Sequence, residues 1–84
     1  MMLKDTIDLM TSDDHQDRLK AEYWQTRVRH DRLHEIIVKY SANTLEFTPE
    51  SPLELLEIQS TAMMNYLKAL EIRAEIEGID LYDV

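Results

Sequence analysis

Cysteine is absent, glycine occurs once and proline twice in 84 residues. Without cysteine there is neither a disulfide framework nor a thiolate metal site to reinforce so small a chain. So few turn formers exclude a many-turned β-sandwich or barrel, and 44% apolar residues exclude a disordered chain. No apolar run reaches the roughly 18 residues of a membrane span, and MMLKDTIDLM has no signal-peptide core; the expectation is a chain that works in the cytoplasm. Cations are also scarce: nine bases face seventeen acids, net −8, which disfavours a binder of polymeric nucleic acid. What remains is one small helical domain. A globule of this size buries only about 60–65% of its unfolded surface, so self-association enters as an expectation at once.

The pattern predicts an N-terminal amphipathic arm (1–10), a first helix (11–40), a loop (41–51), a second helix (52–77) and a tail (78–84). Thr11-Ser12-Asp13-Asp14 reads as a helix start, since hydroxyls and carboxylates satisfy free N–H groups at the positive end of the dipole. Leu19, Tyr23, Thr26, His30, Leu33, Ile37 and Tyr40 then follow a spacing of three and four along one stripe. Asn43 suits a left-handed residue after a helix end, and Pro49 prevents the helix from continuing. Ser51-Pro52-Leu53-Glu54 predicts Ser51 as N-cap and Glu54 closing a capping box. Gly78 is the expected stop, with Ile79, Leu81 and Tyr82 folding back onto apolar surface. The fold class is therefore all-α: two long antiparallel helices, a helical hairpin with a short N-terminal arm, assembling as a homo-oligomer.

Assembly follows from the second helix, which is apolar over more than the roughly 100° one packing partner needs. Leu55, Ile58, Ala62, Ala69, Ile72 and Ile76 lie toward one side, and Leu56, Met63, Leu67, Leu70 and Ala74 toward the other. The first helix can cover one side, and a second copy is left to cover the other. Gln59, Tyr66 and Arg73 stack within this arc at intervals of seven. Polar groups placed there need partners, and two readings are open. Gln59 and Tyr66 hydrogen-bond across an interface while Arg73 pairs with Glu77 or a neighbouring chain; or the line borders a pocket in which Arg73 holds phosphate and Tyr66 stacks on a base.

The bases are concentrated in residues 18–39. There Tyr23, Trp24, Arg27, Arg29 and Arg32 are either a solvated face with Trp24 packed under a neighbour, or a recognition surface for a phosphorylated, base-containing small ligand. Arg27 has an acid partner in Asp31 at the favoured spacing, whereas Arg29 has none. His30 and His34 stand four apart but lack the further ligands zinc requires, so no metal or other cofactor is expected. With no cysteine nucleophile, glycine-rich phosphate loop or Ser, His and acid grouping, the chain is not expected to be an enzyme.

The stretch DRLKAEYWQTRVRHDRLHEIIVKY, the loop TLEFTPESP and the segment LELLEIQSTAMMNYLKALEIRAEIEGIDL resemble the small phage proteins of the Thoeris anti-defence and anti-CBASS hairpin family. The likeness covers roughly residues 11–81 and is strongest from Leu55 to Leu81. It implies an all-α homo-oligomer, dimer or hexamer, that binds a cyclic nucleotide signal without cleaving it. Such signals include glycocyclic ADP-ribose made by TIR-domain enzymes and cyclic oligonucleotides, held in pockets between protomers so that the effector stays silent in the host cytoplasm. The resemblance carries Gln59, Tyr66 and Arg73 over as ligand-binding positions, with Phe47 as the loop group for adenine stacking. Tyr23, Trp24, Arg27 and Arg29 are candidates from their chemistry alone. The rival expectation is a non-catalytic helical protein-protein interaction module, and a small hydrolase acting on such signals is the weakest reading.

Overall fold

The computed structural model describes all residues 1–84, and every regular element in it is helical. A 3₁₀ turn at Leu3–Thr6 runs directly into a single helical turn, α1 (Ile7–Met10). Two long helices follow, α2 (His15–Ser41) and α3 (Leu53–Glu77), of 27 and 25 residues. At about 1.5 Å per residue each is close to 40 Å long, which sets the longest dimension of the molecule, 43 Å.

Local chemistry accounts for most boundaries. The α2 helix begins at His15 rather than at 11, because the cap is Asp14, whose carboxylate accepts the Gln16 N–H at 2.9 Å. Ser12 supports this cap from outside the helix: its hydroxyl accepts the Asp14 N–H at 3.1 Å and donates to Asp17 at 2.8 Å. At the other end Asn43 takes φ +60°, and the Thr44 N–H closes onto the Lys39 carbonyl at 2.9 Å. Gly78 ends α3 at φ +70°, a conformation that costs a residue with a Cβ about 1 kcal/mol or more.

The expected start of α3 needs correction. Pro52, extended at ψ 152°, is the N-cap, and its carbonyl accepts the Leu55 and Leu56 N–H groups. Ser51 thus sits one residue too early to cap, and no side chain does so. The capping box is not formed.

The α2 and α3 helices pack against each other, and the N-terminal turns pack on α2 alone. Thr6 anchors that arm: it is buried, donates to the Leu3 carbonyl at 2.7 Å and accepts from Gln25 at 3.1 Å. The core lies at one end of the hairpin, where Leu19 and Tyr23 of α2 meet Leu67, Leu70 and Ala74 of α3, closed over by Ile79 and Leu81 of the tail. Along the stripe of α2 burial then fades. Thr26, His30, Leu33 and Ile37 are half-buried, and Tyr40 is exposed.

The α3 helix divides as its pattern requires. Leu56, Met63, Leu67, Leu70 and Ala74 turn inward, buried or half-buried, whereas Leu55, Ile58, Ala62, Ala69, Ile72 and Ile76 all face outward and exposed. Ile58 is 66% exposed and Ile76 79%, high for β-branched aliphatics on a folded helix.

A candidate ligand face on the second long helix

Gln59, Tyr66 and Arg73 lie along the outer edge of α3, all exposed, each about 10 Å from the next along the axis. They border the outward apolar stripe and are not covered by α2. Arg73 is half-exposed and its Nε stands 3.5 Å from Glu77, whose other carboxylate oxygen accepts from His15 Nε2 at 2.8 Å. The His15 hydrogen bond, aided by the charges of His15 and Arg73, holds the Glu77 carboxyl below its ordinary pKa. This joins the start of α2 to the end of α3. It leaves the Arg73 guanidinium with one partner and open valences at the surface, as binding an anion requires.

The aromatic and basic residues of α2 are arranged differently. Tyr23, Trp24 and Arg27 are brought together, but around the tail and not around an open recess. Tyr23 is buried; its hydroxyl donates to Glu71 at 3.1 Å and accepts from Arg27 at 2.9 Å. The Trp24 indole N–H donates to the Leu81 carbonyl at 2.7 Å, and its ring meets both Tyr23 and Tyr82 edge to face at 5.3 Å. The Arg27 guanidinium lies within 5.3–5.9 Å of the three ring centroids and donates to the Tyr82 hydroxyl. That hydrogen bond keeps Arg27 charged despite partial desolvation. Burial, with the Glu71 carboxylate as acceptor, pushes the Tyr23 hydroxyl up to about 12 against the opposing effect of Arg27. Tyr23, Trp24 and Arg27 therefore fasten the tail within one chain. Sequence reasoning did not connect Tyr82 and Glu71 with this cluster, because the contacts span some fifty residues and carry no local spacing signal.

Arg29 is exposed and takes part in none of the chain's ion pairs. Phe47 is 57% exposed at the loop end, beside a recess of about 350 Å³ that it shares with Tyr40, Asn43, Leu45 and Thr48. About 30 Å of α3 separates this loop from Arg73, so one chain does not bring Phe47 and Arg73 together. The largest recess, about 460 Å³ under the tail, is edged by Glu71, Glu75 and Asp80 and is hostile to an anion. His30 and His34 stack at 5.9 Å, with His30 Nδ1 3.3 Å from Asp31 and its buried Nε2 without a partner. No group of three or more His, Asp or Glu side chains is placed to hold a metal ion.

Fold and surface together define a helical hairpin protein with an outward apolar stripe edged by a line of polar groups. The family model of Sequestin matches residues 13–76, most of the chain and nearly all of both long helices. The chain belongs to the Sequestin family, whose name is compatible with sequestering a signal molecule. No curated protein and no solved structure gives a significant match. No helix is long and apolar enough to cross a membrane.

Proposed function

We propose that the protein is a non-enzymatic sponge of phage type, which binds a cyclic nucleotide immune signal and withholds it from its effector. The signal class is glycocyclic ADP-ribose or cyclic oligonucleotides, and the systems blocked are Thoeris or CBASS. The observation that carries this reading is the outer edge of α3, where Gln59, Tyr66 and Arg73 flank an apolar stripe that the chain leaves uncovered. A guanidinium for phosphate, an aromatic face for a purine and an amide for the base edge are the groups such a ligand requires. The family name supports sequestration, and the resemblance of Leu55 to Leu81 to the anti-defence hairpins supplies the ligand class.

Binding without turnover fits a site that offers no activated nucleophile, the His15 and Glu77 side chains beside Arg73 being engaged with each other. A sponge acts by stoichiometry: it must be abundant and bind tightly enough to hold free signal below the effector's threshold. The test is thermal melting with a panel of cyclic nucleotides. A ligand at a hundredfold excess over its Kd adds about 2.7 kcal/mol, on the order of 10 °C for a domain of this size. Arg73→Ala should remove that shift while leaving helicity intact. Recovery of unaltered nucleotide after heat denaturation separates sequestration from hydrolysis. A panel without any shift would favour the rival reading, in which the apolar stripe of α3 docks another protein.

A further inference from the structure

Glu77 occupies a place on α3 that local chemistry disfavours. It stands in the last turn, where the helix dipole opposes an acid. It also follows Arg73 by four residues, the less favourable order for an ion pair along a helix, in which the acid does better coming first. Its two oxygens are used unequally. Oε1 accepts from His15 Nε2 at 2.8 Å, a full hydrogen bond, whereas Oε2 stands 3.5 Å from Arg73 Nε, at the outer limit of one. The His15 bond is also the largest of the effects that hold the Glu77 carboxyl below its ordinary pKa. The carboxylate is thus committed first to the imidazole across the helix ends and only loosely to the guanidinium on its own helix.

A free carboxylate one turn from an arginine closes on it with both oxygens and cancels the charge an anion needs. With one oxygen held by His15, Glu77 does not offer both to Arg73, and the end-on fork of the two terminal nitrogens stays available for a phosphate. We propose that His15 is a positioning residue for the anion site: it draws Glu77 off Arg73, and its protonation sets the charge that the three side chains together present to a ligand. That charge is a single positive one with the imidazolium and zero with the neutral ring. This rests on the sequestering reading above and adds a proton-dependent control to its site.

Glu77 and Arg73 are the charged groups that face His15 from α3. The charged groups nearest it in the chain are mostly engaged elsewhere: Asp14 caps the Gln16 N–H, Asp17 accepts from the Ser12 hydroxyl and Arg18 donates to the Ser12 carbonyl. Asp13 precedes it, exposed, and Asp80 of the tail accepts the Tyr82 N–H. The neutral imidazole still donates through Nε2, so loss of its proton removes charge while Glu77 keeps a partner. An anion therefore binds the protonated form more tightly. Its affinity falls as pH rises through the range in which imidazoles titrate, and by linkage its binding takes up protons.

The test is calorimetric binding of glycocyclic ADP-ribose and of a cyclic dinucleotide at about pH 5.5 and about pH 8, on either side of imidazole titration. The phosphates of both probes are anhydrides or diesters, which have no second proton to lose in this window, unlike a monoester. The parent should bind about three- to fivefold more tightly at the lower pH in dilute salt, the effect of one unit charge several ångströms away. Proton uptake is read from the dependence of the heat on buffer ionisation. His15→Gln keeps a neutral N–H donor for Glu77, so it should bind as the parent does at the higher pH and gain nothing at the lower. His15→Ala frees Glu77 and should weaken binding at both, and adding Glu77→Ala should restore it, since the harm passes through that carboxylate. A flat parent profile, a slope that survives in His15→Gln, or a His15→Ala that either binds as the parent or is not restored by Glu77→Ala overturns the proposal and leaves the sequestering reading standing. A parent that binds neither probe at either pH overturns that reading, and the role of His15 with it.

Discussion

Replacing Leu70 and Ile76 by alanine, one at a time, asks whether the two sides of α3 do different jobs. Leu70 is 1% exposed between α2 and the tail, so Leu70→Ala opens a cavity in the only core the chain has and should cost about 2–5 kcal/mol. For a domain of this size that lowers Tm by about 10 °C or more at any protein concentration. Ile76 is 79% exposed in the single chain. Only about a fifth of its side chain is sheltered, about 0.3–0.6 kcal/mol of burial, and alanine's better helix propensity returns a similar amount. Ile76→Ala should therefore be almost silent in a dilute monomer. In a pair joined through α3 the same residue is covered, and the substitution should lower Tm at high concentration and shift sedimentation toward the monomer. Melting curves at two concentrations a hundredfold apart, with sedimentation velocity, separate the cases. If Ile76→Ala matches the parent in mass and Tm throughout, no second copy covers the outer face. If Leu70→Ala is tolerated, the inward side of α3 has been wrongly assigned.

Other consequences are checked more simply. Trp24→Phe deletes the hydrogen bond to the Leu81 carbonyl and should cost about 1–3 kcal/mol in a denaturant melt, with Ile79 and Leu81 losing amide-exchange protection first. Gly78→Ala should destabilise by about 1 kcal/mol purely through its left-handed backbone, since a Cβ there meets no atom within 4 Å; a larger loss would indicate a clash. Tyr23 has a raised pKa in the folded chain, so its contribution is complete below about 10, the unfolded value, and is lost as pH rises toward about 12; phenolate absorbance should show Tyr23 ionising last and together with unfolding. Glu77 is shifted the opposite way: its contribution is present above the ordinary carboxylate range and lost as pH falls through its lowered value. His15→Gln should move the Glu77 carboxyl signal upward in an NMR titration.

In the sequestering reading, binding uses the exposed outer edge of α3 and not a cleft within the chain. On the outer edge of α3 the single chain offers an anion one half-exposed guanidinium, Arg73, and its largest recess is edged by carboxylates. With net charge −8, any electropositive pocket has to be local. If copies associate through the apolar stripe, substitutions on it should weaken nucleotide binding without touching the ligand.

What the sequence by itself determined is whatever depends on neighbours in the chain. The helices, the left-handed stops at Asn43 and Gly78 and the two sides of α3 follow from spacing of three and four and from residues that tolerate or forbid particular dihedrals. The line Gln59, Tyr66, Arg73 was visible for the same reason, since seven residues nearly complete two turns. Local signals failed at the start of α3, where Ser51 and Pro52 shift by one position, because several cap arrangements differ by little energy. Only the tertiary structure decided that Tyr23, Trp24 and Arg27 clasp the tail, because Tyr82, Leu81 and Glu71 reach them across the hairpin. An arginine beside aromatics reads the same in sequence whether or not it holds a tyrosine from the far end of the chain, and only folding brings Tyr82 to Arg27.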